Sequence, residues 1–557
     1  MVLWIKKHRV IYHLLLALII ACIFNIPYLT KDFLGIEHDT FFHLSRITGL
    51  AKSISEGDFL PSIYAYKNNG FGYASPLFYC DIFIYIPAIL YLLGLSLASS
   101  YKVLIFLFTF FACFSIEDLI HRITQDEKAV LIGALAYTFS NYHITDVYVR
   151  GAIGEVSAMI FLPILLSAIY EILYKKNTSK WYLLTISLSG LIFSHNLTFV
   201  FGLVLLIIFF FIRIKYVKKD IFISLFKGSF LAFLLTLWFT LPMLEQTSYQ
   251  EMYLHYYGSS SSLEYYTMPL WKYFANTTIF GYGENTQPYE SSMLVNVGWF
   301  LTFTPILYAF FKKKKKIIKH TCILGYIFLI LPNNLIPWKY LSVVRIIQFP
   351  WRLQILAMIL LTVVSASIIS SIPIQFKKVV TALCSLFLLV ECGYHLYPVY
   401  SRTFGITSEN TYEDITSGVL CNPYYSATYM RVELCGGDYL PLDSIDFRNY
   451  TPTIKTINFE ETNINYTKQG TTITFTIDES YANTQLILPI TTYKGYHLYH
   501  NGKEVSISRY YGLIEFQSLD SGEYTLKYES TPLRKCCIGI SFITLVGLLI
   551  YTYTKKK

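Results

Sequence analysis

Twelve apolar stretches alternate with short polar segments along the chain, at residues 10–29, 101–120, 129–145, 156–174, 181–195, 197–213, 222–243, 297–311, 319–335, 351–372, 379–397 and 536–553. Their length and continuity predict about twelve transmembrane helices. The basic clusters Lys6 to Arg9, Lys175-Lys176, Arg213 to Lys219, Lys312 to Lys316, Lys377-Lys378 and Lys555 to Lys557 all fall on one side if every stretch crosses. That is the positive-inside pattern, and it places both termini in the cytoplasm of a cell whose plasma membrane the chain crosses repeatedly. A further apolar run, 76–97, would reverse every later basic loop if it also crossed. It carries Asp81, Pro87 and Gly94, which suit an irregular or re-entrant segment.

The region from 398 to 533 has a different rhythm. Thr471 to Ile477, Gln485 to Ile490 and Glu523 to Tyr528 alternate as strands, and Asn501-Gly502 signals a tight hairpin. The expected fold is therefore an α-helical polytopic membrane domain over 1–397, a β-sandwich-like domain over 398–533 on the outer face, and a last helix and basic tail over 534–557.

Composition narrows the class. Of 557 residues, 54% are hydrophobic and 15% charged, more apolar surface than a soluble chain of this size needs. The net charge of +9 lies in the loop clusters rather than in a patch suited to nucleic acid. The first apolar run lacks a small-residue cleavage site at Asn25 to Tyr28, so it is expected to stay as a helix. Eight of the ten cysteines sit in or beside apolar stretches, and Cys421 and Cys435 lie in the soluble region, paired or free.

Candidate chemistry gathers in the outer loops, first of all in loop 30–100. On a helix starting after Asp39, Asp39, His43 and Arg46 share one arc, beside an apolar arc of Leu44, Ile47, Ala51 and Ile54. Such a helix would lie along the membrane surface with an acid, an imidazole and a guanidinium on its polar face. Asp39 is equally suited to capping that helix. Arg150 and Glu155 stand in a second outer loop, His195 in a third, and Arg345, Gln348 and Arg352 in a fourth. Arg345 and Arg352 also suit anchoring in the headgroup layer, and His195 suits a helix turn.

The segments Glu37 to His43, Tyr148 to Glu155 and Gln348 to Arg352 resemble bacterial membrane proteins called pyruvoyl-tetrahydropterin-synthase-related, a name that implies no pterin chemistry. Residues Tyr493 to His497, Asn501 to Lys503 and Tyr524 to Tyr528 are similar to the outer β-domain of YfhO-like proteins. Both groups look like GT-C glycosyltransferases. The resemblance implies an inverting transfer of sugar from a polyprenyl-phosphate donor to an extracytoplasmic glycan or lipid acceptor, with an acid of the first outer loop as base. Asp39 matches that position. Arg150, Arg345 and Arg352 would hold the donor phosphate, and His43, Arg46, Glu155, His195 and Gln348 would contact substrate. No motif requires a metal or other cofactor, although Glu37, His38 and Asp39 could supply ligands. No WWD-type signature is present, so peptide N-glycosylation is not implied. A lipid-linked glycan flippase, a cell-surface glycan ligase or polymerase, and a non-catalytic protein displaying the β-domain are the competing readings. Charge gathered at one membrane face favours surface chemistry over transport.

Overall fold

The computed structural model describes residues 8–35, 37–254, 263–275, 294–311, 315–340, 347–401, 405–407, 437–444 and 450–554. Arg345, Cys421 and Cys435 lie outside the described residues. The chain forms two compact units. One comprises Met1–Thr40, Tyr101–Ala232 and Ser261–Ser408, the other Phe41–Ser100, Phe233–Ser260 and Glu409–Lys557.

Among the described residues, seven helices are long and apolar enough to cross a membrane: Leu97–Thr124, Ile153–Tyr174, Asn196–Tyr216, Lys219–Tyr249, Pro350–Ser371, Ile374–Tyr400 and Pro532–Thr554. Five other expected spans are shorter. Arg9–Phe24 has 16 residues, Glu127–Thr138 has 12, Trp181–Ser194 has 14 and Lys316–Ile330 has 15. Trp299–Phe303 passes into a 3₁₀ segment, Thr304–Phe310. At about 1.5 Å per residue these reach roughly 18–24 Å, short of the about 30 Å hydrocarbon core. The apolar pattern ran on through breaks in the helices. Span 129–145, for example, stops at Thr138 and resumes as Asn141–Thr145, followed by a π-helical turn, Asp146–Arg150. The run 76–97 contains two short helices, Ser75–Phe78 and Tyr85–Leu92, of four and eight residues.

In the first unit Gln354–Ser371 is buried on nearly all sides and packs against Lys316–Ile330 and Glu127–Thr138. Small residues allow the close approach: an added Cβ at Gly133 would lie 3.3 Å from the Ala366 methyl. A two-residue ladder, β1 (Phe33–Leu34) with β2 (Ile406–Thr407), closes the segment that leads to Asp39.

The second unit contains two antiparallel sheets. One has the order β3 (Lys455–Thr456), β6 (Gln485–Thr491), β10 (Leu513–Gln517), β9 (Ile507–Tyr510). The other has the order β4 (Tyr466–Gln469), β5 (Thr472–Ile477), β11 (Gly522–Tyr528), β7 (Tyr496–His500), β8 (Lys503–Val505). Alternation along β5 turns Ile473, Phe475 and Ile477 inward, where they join Leu486, Leu488, Ile514, Phe516 and Leu526 in one core. The two-residue loop between β7 and β8 is Asn501-Gly502, with φ of +49° and +76°, as its sequence predicts.

Candidate functional site

The segment bearing Asp39 is stitched by its backbone to the segment bearing Arg150. His38 N–H donates to the Val149 carbonyl at 3.3 Å and Asp39 N–H to the Arg150 carbonyl at 2.8 Å. Glu37 and Thr40 brace the turn between them: the Thr40 hydroxyl donates to Glu37 Oε2 at 2.8 Å and accepts from Glu37 N–H at 3.2 Å. Gly151 lets the two segments touch. Its φ is +62°, and a Cβ there would stand 2.9 Å from Thr40 Oγ1 and 3.2 Å from Glu37 Cβ.

The π-helical turn Asp146–Arg150 ends at that glycine and sets Arg150 over its own carboxylate partner. Arg150 Nη1 pairs with Asp146 Oδ1, and Nη2 lies 2.8 Å from Glu155 Oε1. Glu155 sits in the first turn of Ile153–Ile169, where the helix dipole favours an anion. Its Oε1 also meets Arg352 Nε at 2.9 Å, and its Oε2 accepts from the Tyr142 hydroxyl at 2.7 Å. One carboxylate therefore joins both arginines. Aromatic faces complete the packing: Trp351 lies 4.7 Å from the Arg150 guanidinium, and Phe349 lies 4.8 Å from that of Arg352.

Two members of the cluster are less committed than the rest. Arg352 is 9% exposed. Its Nη1 donates to Gln348 Oε1, while Nη2 has no protein partner among the described residues. Gln348 is held with φ at +61°, a conformation costly for a non-glycine residue. Asp39 keeps partial solvent access, and its carboxylate makes no hydrogen bond or ion pair among the described residues. The helix Thr40–Ser55 starts one residue later, yet Asp39 does not cap it through its side chain. Burial raises the Asp39 carboxyl above the ordinary carboxylate range. Arg150, then Arg352, oppose that shift, and Glu155 adds to it.

The remaining expected site residues are placed as follows. His195 caps Asn196–Arg213, its Nδ1 accepting from Thr198 N–H at 3.4 Å, and it lies within electrostatic range of Glu155, Arg352 and Arg150. His43 and Arg46 belong to the second unit, each 1% exposed, so the helix does not display them on a polar surface. Arg46 donates from Nε and Nη2 to Asp81 Oδ1 at 2.9 and 2.6 Å, and from Nη2 to the Cys80 carbonyl at 2.9 Å. Its Nη1 lies 3.2 Å from His43 Nδ1, and Tyr64 donates to Asp81 Oδ2. Asp146 and Tyr142 are members of the first cluster that motif reading missed. The four-residue spacing of Asp146 and Arg150 was the available signal.

The second unit also contains a cavity of about 410 Å³ whose walls include Lys52, Glu56, Tyr64, Tyr66, Lys67 and Thr471. That volume is within the range of small-ligand sites.

Compared with known proteins, the chain matches no family model and no curated sequence.

Proposed function

We propose that this protein is a membrane glycosyltransferase of GT-C type that moves a sugar from a polyprenyl-phosphate donor to an extracytoplasmic glycan or lipid acceptor. In this reading the chain crosses the membrane about twelve times, with both termini inside and the β-domain outside. The observation that carries it is the uncommitted Asp39 carboxylate beside two arginines whose other partners are fixed.

The chemistry follows from that arrangement. Asp39 takes the proton from the acceptor hydroxyl as its oxygen attacks the anomeric carbon from the face opposite the phosphate. The bond from that carbon to the phosphate oxygen breaks, and the phosphate leaves with the electron pair. Arg352, through its free Nη2, stabilises the charge that develops on the phosphate. Arg150 acts as a positioning residue, because Asp146 and Glu155 occupy both of its terminal nitrogens. Negative charge arriving on the phosphate also makes Asp39 a stronger base as the reaction proceeds. The turn containing Glu37 and Thr40 fixes where Asp39 points.

Incubating the purified protein in lipid with a labelled polyprenyl-phosphate sugar and membrane acceptors tests the reading. Transfer that needs the lipid-phosphate donor and fails with a nucleotide sugar supports it. Translocation of the lipid-linked sugar across vesicles without any new glycosidic bond would favour a flippase instead.

A further inference from the structure

A second polar cluster sits in the first unit, at the end of the helix Leu97–Thr124 remote from Gly151. Tyr101 of Leu97–Thr124 donates to the Gly151 carbonyl at 3.5 Å. His121 follows 20 residues later (121 − 101) on that helix, about 30 Å away along its axis. Around it lie Arg9, Arg122 and Lys377, the last paired with Asp126 at 2.7 Å.

His13 of Arg9–Phe24, His121 and Glu127, the first residue of Glu127–Thr138, converge there from three helices. His13 Nε2 lies 3.0 Å from Glu127 Oε2, and His121 Nδ1 lies 3.1 Å from Glu127 Oε1. One nitrogen of each imidazole and one carboxylate oxygen all fall within 4.8 Å of one another. A tetrahedral ion with ligands at about 2.0–2.2 Å separates them by roughly 3.3–3.6 Å, so small side-chain shifts would seat it.

The second observation is Glu117. Its side chain is fully buried, and Oε2 has no hydrogen-bond partner among the described residues while standing 3.9 Å from His13 Nδ1. Its Oε1 accepts from Cys113 Sγ at 3.5 Å. If His13 Nδ1 holds the proton, Glu117 gains its donor, and the Nε2 lone pair turns toward Glu127 and His121. That is how a buried carboxylate orients a metal-binding histidine.

We infer that His13, His121 and Glu127 bind one divalent transition-metal ion of the zinc class, with Glu117 as the residue that orients His13. Two imidazoles and one carboxylate favour such an ion over magnesium or calcium, which take oxygen ligands. The ion would tie Arg9–Phe24 to the Leu97–Thr124 and Glu127–Thr138 helices and leave a fourth position for water. Arg9, exposed and 2.9 Å from His121 Nε2, turns away into solvent when that nitrogen carries the proton.

Equilibrium dialysis of the full-length, chelator-stripped protein in detergent against zinc alone, followed by elemental analysis, tests the inference. One zinc per chain is expected, with a thermal midpoint raised by zinc and not by magnesium. Cobalt should give the absorption of a tetrahedral site. His13→Asn and His121→Asn should each lose that equivalent, and Glu117→Gln should keep the stoichiometry while weakening affinity about 10–100-fold. Equal zinc content in the wild type and both histidine variants would overturn it. Should those variants fail to fold, a wild type without a tetrahedral cobalt spectrum or zinc stabilisation overturns it as well.

Discussion

Arg46 with Asp81 in the second unit, and Arg150 and Arg352 with Glu155 in the first, both bring guanidinium and carboxylate together in the interior. Around Arg46 the polar atoms are matched: Asp81, two backbone carbonyls and His43 surround the guanidinium, and Tyr64 closes the other carboxylate oxygen. In the first unit the matching stops short. The Asp39 carboxylate has two arginines within electrostatic range and bonds to neither guanidinium, and Arg352 Nη2 has no partner among the described residues. A satisfied buried ion pair holds structure, since any change leaves an unpaired charge. An unsatisfied acid at a partly open position is available to a substrate. The two clusters contain similar residue types, and the difference lies in what is left over.

The largest effect expected from breaking this contrast is on stability in the second unit. Arg46→Ala leaves Asp81 and Tyr64 buried without their cation, and unfolding in detergent should show a loss of about 3–5 kcal/mol. A loss below about 1 kcal/mol would mean that water reaches the cluster and that its closure is overstated.

The first unit should respond in binding. Arg352→Ala removes one charge-assisted contact to the donor phosphate, so affinity for a polyprenyl-phosphate sugar should fall by about 1.5–3 kcal/mol. Unchanged donor affinity and turnover would remove Arg352 from the phosphate site. Gly151→Ala sharpens the comparison further. It asks an L-residue to hold φ of +62° and presses a methyl on Thr40, costing about 1–2 kcal/mol of stability. Because Glu37 and Thr40 aim Asp39, turnover in this variant should fall more than the stability loss alone explains.

The smallest expected effect is a change of sign in stability. Burial raises the Asp39 carboxyl, so the folded state holds its proton more tightly than the unfolded chain does. The stability linked to that proton is present below the unfolded value and is lost as pH rises through the folded one. Asp39→Asn should therefore leave thermal stability at neutral pH unchanged or slightly higher. The acidic limb of the wild-type pH–rate profile should lie above the ordinary aspartate range. A clear loss of stability in Asp39→Asn would show that the ionised carboxylate has a structural partner.

Much of this was legible in the chain. Alternation at Thr472–Ile477 and the Asn501-Gly502 turn gave the β-region its strands, because both signals are local. Asp39, Arg150, Glu155 and Arg352 were each visible as charge between apolar stretches. Their joining depends on backbone bonds between residues more than 100 positions apart, at His38 to Val149 and Asp39 to Arg150, which no spacing rule encodes. Helical periodicity also placed His43 and Arg46 on the Asp39 arc. Periodicity is blind to burial, however, and it could not register that Asp81 had already claimed Arg46. The stretch 129–145 runs past a helix end for a related reason: Phe139, Tyr142 and Ile144 continue the apolar and aromatic pattern although the helix stops at Thr138 and a second one starts at Asn141.

The most direct test of the central claim compares sugar transfer and donor binding in wild type and Asp39→Asn. Asparagine keeps the shape and leaves the backbone bond to Arg150 intact, but it cannot accept the acceptor's proton. The account predicts a fall in transfer of about 10²-fold or more with donor affinity nearly unchanged. Transfer at the wild-type rate in Asp39→Asn would contradict it.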